Sequence, residues 1–114
     1  MISLVVATKG RVAEIGALFE SLAHQEPPFE VILVDQNGDG RLDPLAAGWA
    51  GRFALTHLRM AAANANAGRN LGLRHARGDL VAFPDDDCLL KPGTLAQVRA
   101  AFADPALAVL TGPA

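Results

Sequence analysis

Hydrophobic positions follow two alternating textures along the chain. Ile2 to Ala7 (ISLVVA) and Glu30 to Val34 (EVILV) are nearly unbroken apolar runs of strand length, the pattern of parallel strands buried on both faces. Between them Val12, Ile15, Leu18, Phe19 and Leu22 recur at helical spacing, forming one apolar stripe that Pro27-Pro28 terminates. Further along, Phe53 to Leu58 predicts a third strand, Ala67 to Ala76 an arginine-bearing helix and Leu80 to Phe83 a fourth strand. Leu95, Val98 and Phe102 mark a last helix with Pro92 suited to its first position, and Leu107 to Leu110 begins a fifth short strand. This alternation predicts an α/β domain: an open, mostly parallel sheet between layers of crossover helices.

Composition narrows the class. With 114 residues, 51% of them hydrophobic and 19% charged, the chain has the size and content of one globular domain. Ten Lys+Arg against twelve Asp+Glu leave a formal charge of -2, so the basic field of a nucleic-acid-binding protein is missing and no nucleic acid partner is expected. The lone Cys88 cannot form an internal bridge and is compatible with a reducing compartment, which suggests a cytoplasmic setting, in solution or at the inner face of a membrane. The first apolar run is too short for a signal sequence, and no run is long enough to span a bilayer.

In an open α/β sheet, ligands bind beyond the carboxyl ends of the strands. The first strand is followed by Thr8-Lys9-Gly10-Arg11, the second by Asp35-Gln36-Asn37-Gly38-Asp39, the third by Arg59 and the fourth by Asp85-Asp86-Asp87. Any one of these loops is explained by turn chemistry alone. The triple aspartate is not, because each close pair of carboxylates repels by roughly 1 kcal/mol in water and by more at a partly buried site. In extended backbone Asp85 and Asp87 point the same way and can converge on one cation while Asp86 faces elsewhere. Oxygen ligands of this kind suit Mg²⁺ or Mn²⁺.

A competing pattern lies earlier. Asp35-Gln-Asn-Gly-Asp-Gly-Arg-Leu-Asp43 matches the opening of a calcium loop. Its closing position is Ala46 where a bidentate Glu belongs, and the entering segment is a strand, so calcium binding is the weaker expectation. Asn66 to Asn70 opens the arginine-bearing helix, whose N-terminal amides and Arg69 suit an anion. Arg74 and Arg77 read as solvated surface. His24, His57 and His75 have no zinc or triad spacing and receive no role, and Trp49 is expected to pack against the sheet. A thiol beside carboxylates is a poor nucleophile, which argues against a reactive Cys88. Neither a dinucleotide fingerprint nor a P-loop is present.

Taken together, VVATKGR, VILVDQN and NAGRNLGLRHARGDLVAFPDDDCLLKPGTL resemble the donor-binding half of family 2 glycosyltransferases, over nearly the whole chain. The resemblance implies a GT-A fold, a Rossmann-like nucleotide-binding sheet, and transfer of a sugar from a nucleotide-diphosphate sugar with Mn²⁺ or Mg²⁺. It implies that Thr8 and Lys9 to Arg11 line the nucleoside pocket, that Asp35 contacts the base, commonly uracil, and that Asn37 and Arg69 belong to the donor site. Asp85 and Asp87 stand for the DxD pair, with Asp87 the direct metal ligand and Asp86 meeting the ribose. Lys9-Gly10 replaces an aromatic-Asn pair, and Cys88 replaces a frequent fourth Asp. The acceptor, whether glycan, lipid or protein, and the general base that activates it are expected beyond Ala114, so the chain is expected to supply only the donor and metal site. Two other readings stay in play. One is a non-catalytic assembly module of the same fold that self-associates or binds a missing C-terminal half; the other is a calcium-binding loop protein. A haloacid-type phosphatase is disfavoured, since Thr8-Lys9-Gly10 lacks the nucleophilic Asp.

Overall fold

The computed structural model describes residues 1–61 and 64–102. Four strands, β1 (Ile2–Thr8), β2 (Phe29–Asp35), β3 (Ala54–Arg59) and β4 (Leu80–Ala82), alternate with four helices, α1 (Ala13–Ala23), α2 (Asp43–Trp49), α3 (Ala65–His75) and α4 (Thr94–Phe102). The strands form one parallel sheet in the order β3-β2-β1-β4. The expected α/β class is therefore present. The expected fifth strand at 107–110 lies outside the described residues.

The unbroken apolar runs mark the central strands. Residues of β1 and β2 alternate between the two faces of the sheet, and both faces are covered. On one face Ile2, Leu4, Val6, Phe29, Val31 and Leu33 pack against Ile15, Leu18, Phe19 and Leu22 of α1, with Leu42 and Leu95 completing the cluster. On the other face Val5, Ile32 and Val34 meet Leu71 of α3. The result is three layers, with α3 alone on its side among the described helices.

Helix α2 was not foreseen. Leu42, Leu45, Ala46 and Trp49 have helical spacing, Pro44 sits in the first turn, Leu42, Leu45 and Trp49 join the larger cluster, and Ala46 is buried. Trp49 packs edge-on to Phe19 of α1 at 6.3 Å and stacks on Phe53 at 5.8 Å, so it meets aromatic neighbours beside the sheet. Pro92 is also displaced from its expected place. Lys91-Pro92-Gly93-Thr94 forms a turn closed by Thr94 N–H donating to the Lys91 carbonyl at 3.1 Å, with Gly93 at φ +82°, and α4 starts only afterwards. A Pro-Gly pair favours this turn over helix initiation.

α3 approaches the sheet through glycines one helical turn apart. A Cβ on Gly68 would lie 2.8 Å from Gln36 Nε2 and 3.0 Å from Ala7 Cβ, and one on Gly72 would collide with the Val5 side chain. The Gly-Arg-Asn-x-Gly spacing is thus a backbone-to-sheet contact.

At the opposite end of the sheet from the rim, Glu30 is 3% exposed. Its carboxylate accepts from Ser3 Oγ at 2.6 Å and from the Arg77 amide at 2.6 Å, while Ser3 Oγ accepts from the Gly78 amide at 2.8 Å. These bonds fix the turn that leads from α3 into β4. Burial pushes the Glu30 carboxyl up, but the bonds from Ser3 and Arg77 outweigh it and hold it below its ordinary value.

Two outcomes follow from this packing. Gly72→Ala is expected to destabilise the fold by about 1–3 kcal/mol, through overpacking against a stiff β-branched side chain, as read by denaturant unfolding; wild-type stability would contradict that contact. Because Glu30 binds its proton less tightly folded than unfolded, its contribution is complete above the unfolded value near 4 and fades as pH falls through the lower folded value. Glu30→Gln should therefore lower the melting temperature at neutral pH and flatten its decline below about pH 5.

Candidate functional site

Parallel register sets the rim. Thr8 pairs with Asp35 and Asp35 with Arg59, so the last residues of three strands stand side by side. The ladder continues past them, with Gln36 N–H donating to the Thr8 carbonyl and Met60 N–H to the Asp35 carbonyl, each at 2.9 Å. β4 lies on the other side of β1, so the chain reverses its direction of winding at the β1/β4 boundary. Crevices at such switch points are where open α/β sheets bind ligands.

The triple aspartate stands at that boundary. Thr8 Oγ1 donates to Asp86 Oδ2 at 2.9 Å, and Arg11 Nε lies 3.3 Å from Asp86 Oδ1. Asp86 is thus half-buried and neutralised from within, and joins the loops after β1 and β4. Asp85 and Asp87 are both exposed. The backbone here is a turn closed by Cys88 N–H donating to the Asp85 carbonyl at 3.2 Å, whereas the extended segment was expected. Its cause is Cys88, which is 7% exposed and embedded in the larger hydrophobic cluster, pulling the chain inward. The segment that follows is anchored on α1 and on the residues just after it. Leu90 N–H donates to Ser21 Oγ at 3.2 Å, and the buried Gln25 amide donates to the Lys91 carbonyl at 2.9 Å and accepts from Leu95 N–H at 3.1 Å. Burial, then the charges of Asp85 and Asp87, push the Cys88 thiol above its ordinary value, in line with its expected lack of reactivity.

Asp86 has a guanidinium and a hydroxyl to balance it, while among the described residues no cation pairs with Asp85 or Asp87. Asp85 and Asp87 offer exposed carboxylate oxygens, the ligand type that Mg²⁺ and Mn²⁺ take, on a turn in place of the extended segment expected to point them the same way.

Asp35 is 2% exposed, and both of its carboxylate oxygens have hydrogen-bond partners. Its Oδ1 accepts from the Asn37 amide at 3.0 Å and from Asn37 Nδ2 at 2.7 Å, and its Oδ2 lies 2.9 Å from His57 Nε2. Burial raises the carboxyl, yet the bonds from Asn37 and His57 together hold it below its ordinary value. Asn37 also accepts from the Gly10 amide at 2.6 Å and so ties the first rim loop to the second. Asp35, Gly38, Gly40, Asp43, Arg59 and Met60 line a hollow of about 490 Å³, within the range of small-ligand sites.

The calcium-like loop is rearranged by arginines. Arg41 forks onto Asp39 at 2.8 Å and draws its carboxyl down to about 2, and Arg59 holds Asp43 at 2.7 Å. Asp35, Asp43 and His57 present ligand atoms within 4.8 Å of one another, but two of the three already hold protein partners across strands and the Arg59 guanidinium adjoins the third. Lys9 and Arg69 are exposed. Arg69 sits in the second turn of α3, whose first turn is capped by Asn64 accepting from the Ala67 amide at 3.1 Å. His57, given no role from sequence, is the residue the sequence reading missed. Its signal was its place two residues before the end of β3, on the face that carries Leu33 and Asp35.

The chain matches the family model described as glycosyl transferase family 2 over residues 3–113. It is 36% identical over 94 residues to an uncharacterized glycosyltransferase of Haemophilus influenzae and 31% identical over 93 residues to the uncharacterized glycosyltransferase YwdF of Bacillus subtilis, covering 81% of this chain in each case. It is 30% identical over 95 residues to the hyaluronan synthase of Pasteurella multocida, covering 80% of this chain and 10% of that protein. The chain spans about a third of the length of the first two relatives, 31% and 34%. Crystal structures of Staphylococcus aureus TarS residues 1-349 with UDP and with UDP-GlcNAc superpose with TM-scores of 0.79 and 0.78 at 28% and 27% identity, over 90% of this chain and 32% and 31% of those chains. The sheet order, the aspartate turn at its switch point and the family match over residues 3–113 lead to one conclusion: this chain belongs to glycosyltransferase family 2 and has the GT-A fold.

Proposed function

We propose that residues 1–114 form the donor-binding part of a glycosyltransferase that moves a sugar from a nucleotide-diphosphate sugar, a UDP-sugar, to an acceptor hydroxyl with the help of a divalent cation. The observation that carries this reading is the joining of Thr8, Arg11 and Asp86 at the β1/β4 boundary, which leaves Asp85 and Asp87 outward and unpaired among the described residues. Relatives whose structures hold UDP and UDP-GlcNAc support the donor class.

In this reading the nucleoside occupies the hollow beside Asp35, with Asn37 tying its loop to Gly10, and Thr8, Lys9 and Arg11 stand at the end of β1 and on the neighbouring loop after it. Asp35 accepts from the base. Asp85 and Asp87 hold Mn²⁺ or Mg²⁺, which when bound offsets the charge that develops on the departing diphosphate. Arg11 and Arg69 add positive charge on the diphosphate side, and Asp86 keeps Arg11 oriented toward the turn. The acceptor hydroxyl belongs to a glycan, lipid or protein, and a general base deprotonates it as it attacks. Among the described residues no helix is long and apolar enough to cross a membrane, and the buried lone thiol is compatible with a cytoplasmic site.

The double variant Asp85→Asn with Asp87→Asn tests the metal assignment. Calorimetric titration should show Mn²⁺-dependent UDP binding by the wild type weakened at least about tenfold in the variant, with metal-free binding little changed. Equal Mn²⁺-dependent binding by both proteins would remove the two carboxylates from the site.

A further inference from the structure

Resting on the donor reading above, the buried pair of Asp35 and His57 bears on how the site tells one base from another. The ionised Asp35 carboxylate only accepts hydrogen bonds, so the contact at 2.9 Å requires His57 Nε2 to carry the proton. Asn37 fills Oδ1 with two hydrogen bonds and His57 holds Oδ2, which fixes the plane of the group and leaves one Oδ2 lone pair open on a residue that lines the hollow. The surrounding charges are balanced: Asp43, close to both members of the pair, is held by Arg59 at 2.7 Å, and Asp39 is held by Arg41. His57 is 13% exposed in its side chain and belongs to a strand, so neither partner is free to turn away.

We propose that His57 is a positioning residue for base selection, locking Asp35 as an acceptor aimed into the hollow so that the site takes a base with an imide N–H and rejects one that offers a lone pair there. Uracil presents a donor N3–H to such an acceptor. Cytosine presents a lone pair at N3, and a buried carboxylate facing a lone pair loses a hydrogen bond and meets repulsion. Without the His57 bond the carboxylate is held on one side only and has lost a donor that keeps it ionised. It can then rotate or take up a proton, and a protonated carboxyl donates to cytosine N3 as readily as it accepts from uracil.

The test is calorimetric titration of the 114-residue chain with UDP and with CDP, both with Mn²⁺, for the wild type, His57→Phe and His57→Gln. Folding of each variant is checked by circular dichroism and melting temperature, with His57→Ala replacing His57→Phe should the latter fail to fold. The wild type should prefer UDP over CDP. His57→Phe should lose at least about tenfold of that preference, mainly through weaker UDP binding, and His57→Gln, which places an amide donor near the position of Nε2, should restore most of it. A His57→Phe or His57→Ala protein with the wild-type preference would overturn the inference while leaving the donor reading intact, and so would a His57→Gln protein that behaves like His57→Phe. A folded wild type that binds neither nucleotide would overturn the donor reading and the inference with it.

Discussion

The in-register parallel pairing of β1 and β2 is the constraint on which the rest of the molecule depends. Seven consecutive pairs, from Ile2 with Phe29 to Thr8 with Asp35, bring both strands to an end at the same level. A slip of β2 by one residue would turn Ile32 and Val34 onto the face that now holds Leu4, Leu33 and Phe19. The same shift would take Asp35 away from Thr8 and His57. Core burial and alignment of the strand ends at the polar rim are therefore secured together.

Charge at the rim is distributed unevenly, and the unevenness has chemical meaning. Asp35 and Asp86 are drawn inward and supplied with partners, Asn37 and His57 for the first, Thr8 and Arg11 for the second. Asp85 and Asp87, on either side of Asp86, stay exposed. Bringing carboxylates together costs free energy, and where that cost is offset inside the protein the group becomes a fixed acceptor. Where it is left to solvent, the group can take a cation. The anchoring of residues 88–95 on α1 and the turn after it, through Cys88, Leu90, Ser21 and Gln25, holds this division in place.

Much of this was legible in the sequence because buried parallel strands and single-stripe helices write their burial directly into apolar runs. The positions of Thr8, Asp35 and the triple aspartate followed from strand ends alone. Helix α2 was hidden because its short stripe from Leu42 to Trp49 overlaps a loop with the look of a calcium site, and the arginines that occupy that loop act across three-dimensional contacts. The turn at Asp85 to Cys88 was misread as extended because the burial of Cys88 is a tertiary fact. His57 escaped notice for a similar reason, since a diagonal neighbour on an adjacent strand appears only once the register is known.

The claim on which the account rests is that this rim is a nucleotide-diphosphate site completed by a divalent cation. Its most direct measurement is the melting temperature of the chain with UDP, with Mn²⁺, and with both, since a ligand that binds only the folded state raises its stability in proportion to occupancy. The account predicts a rise with UDP and Mn²⁺ together that exceeds the sum of the rises with each alone. A folded chain whose melting temperature is unmoved by the pair would contradict it.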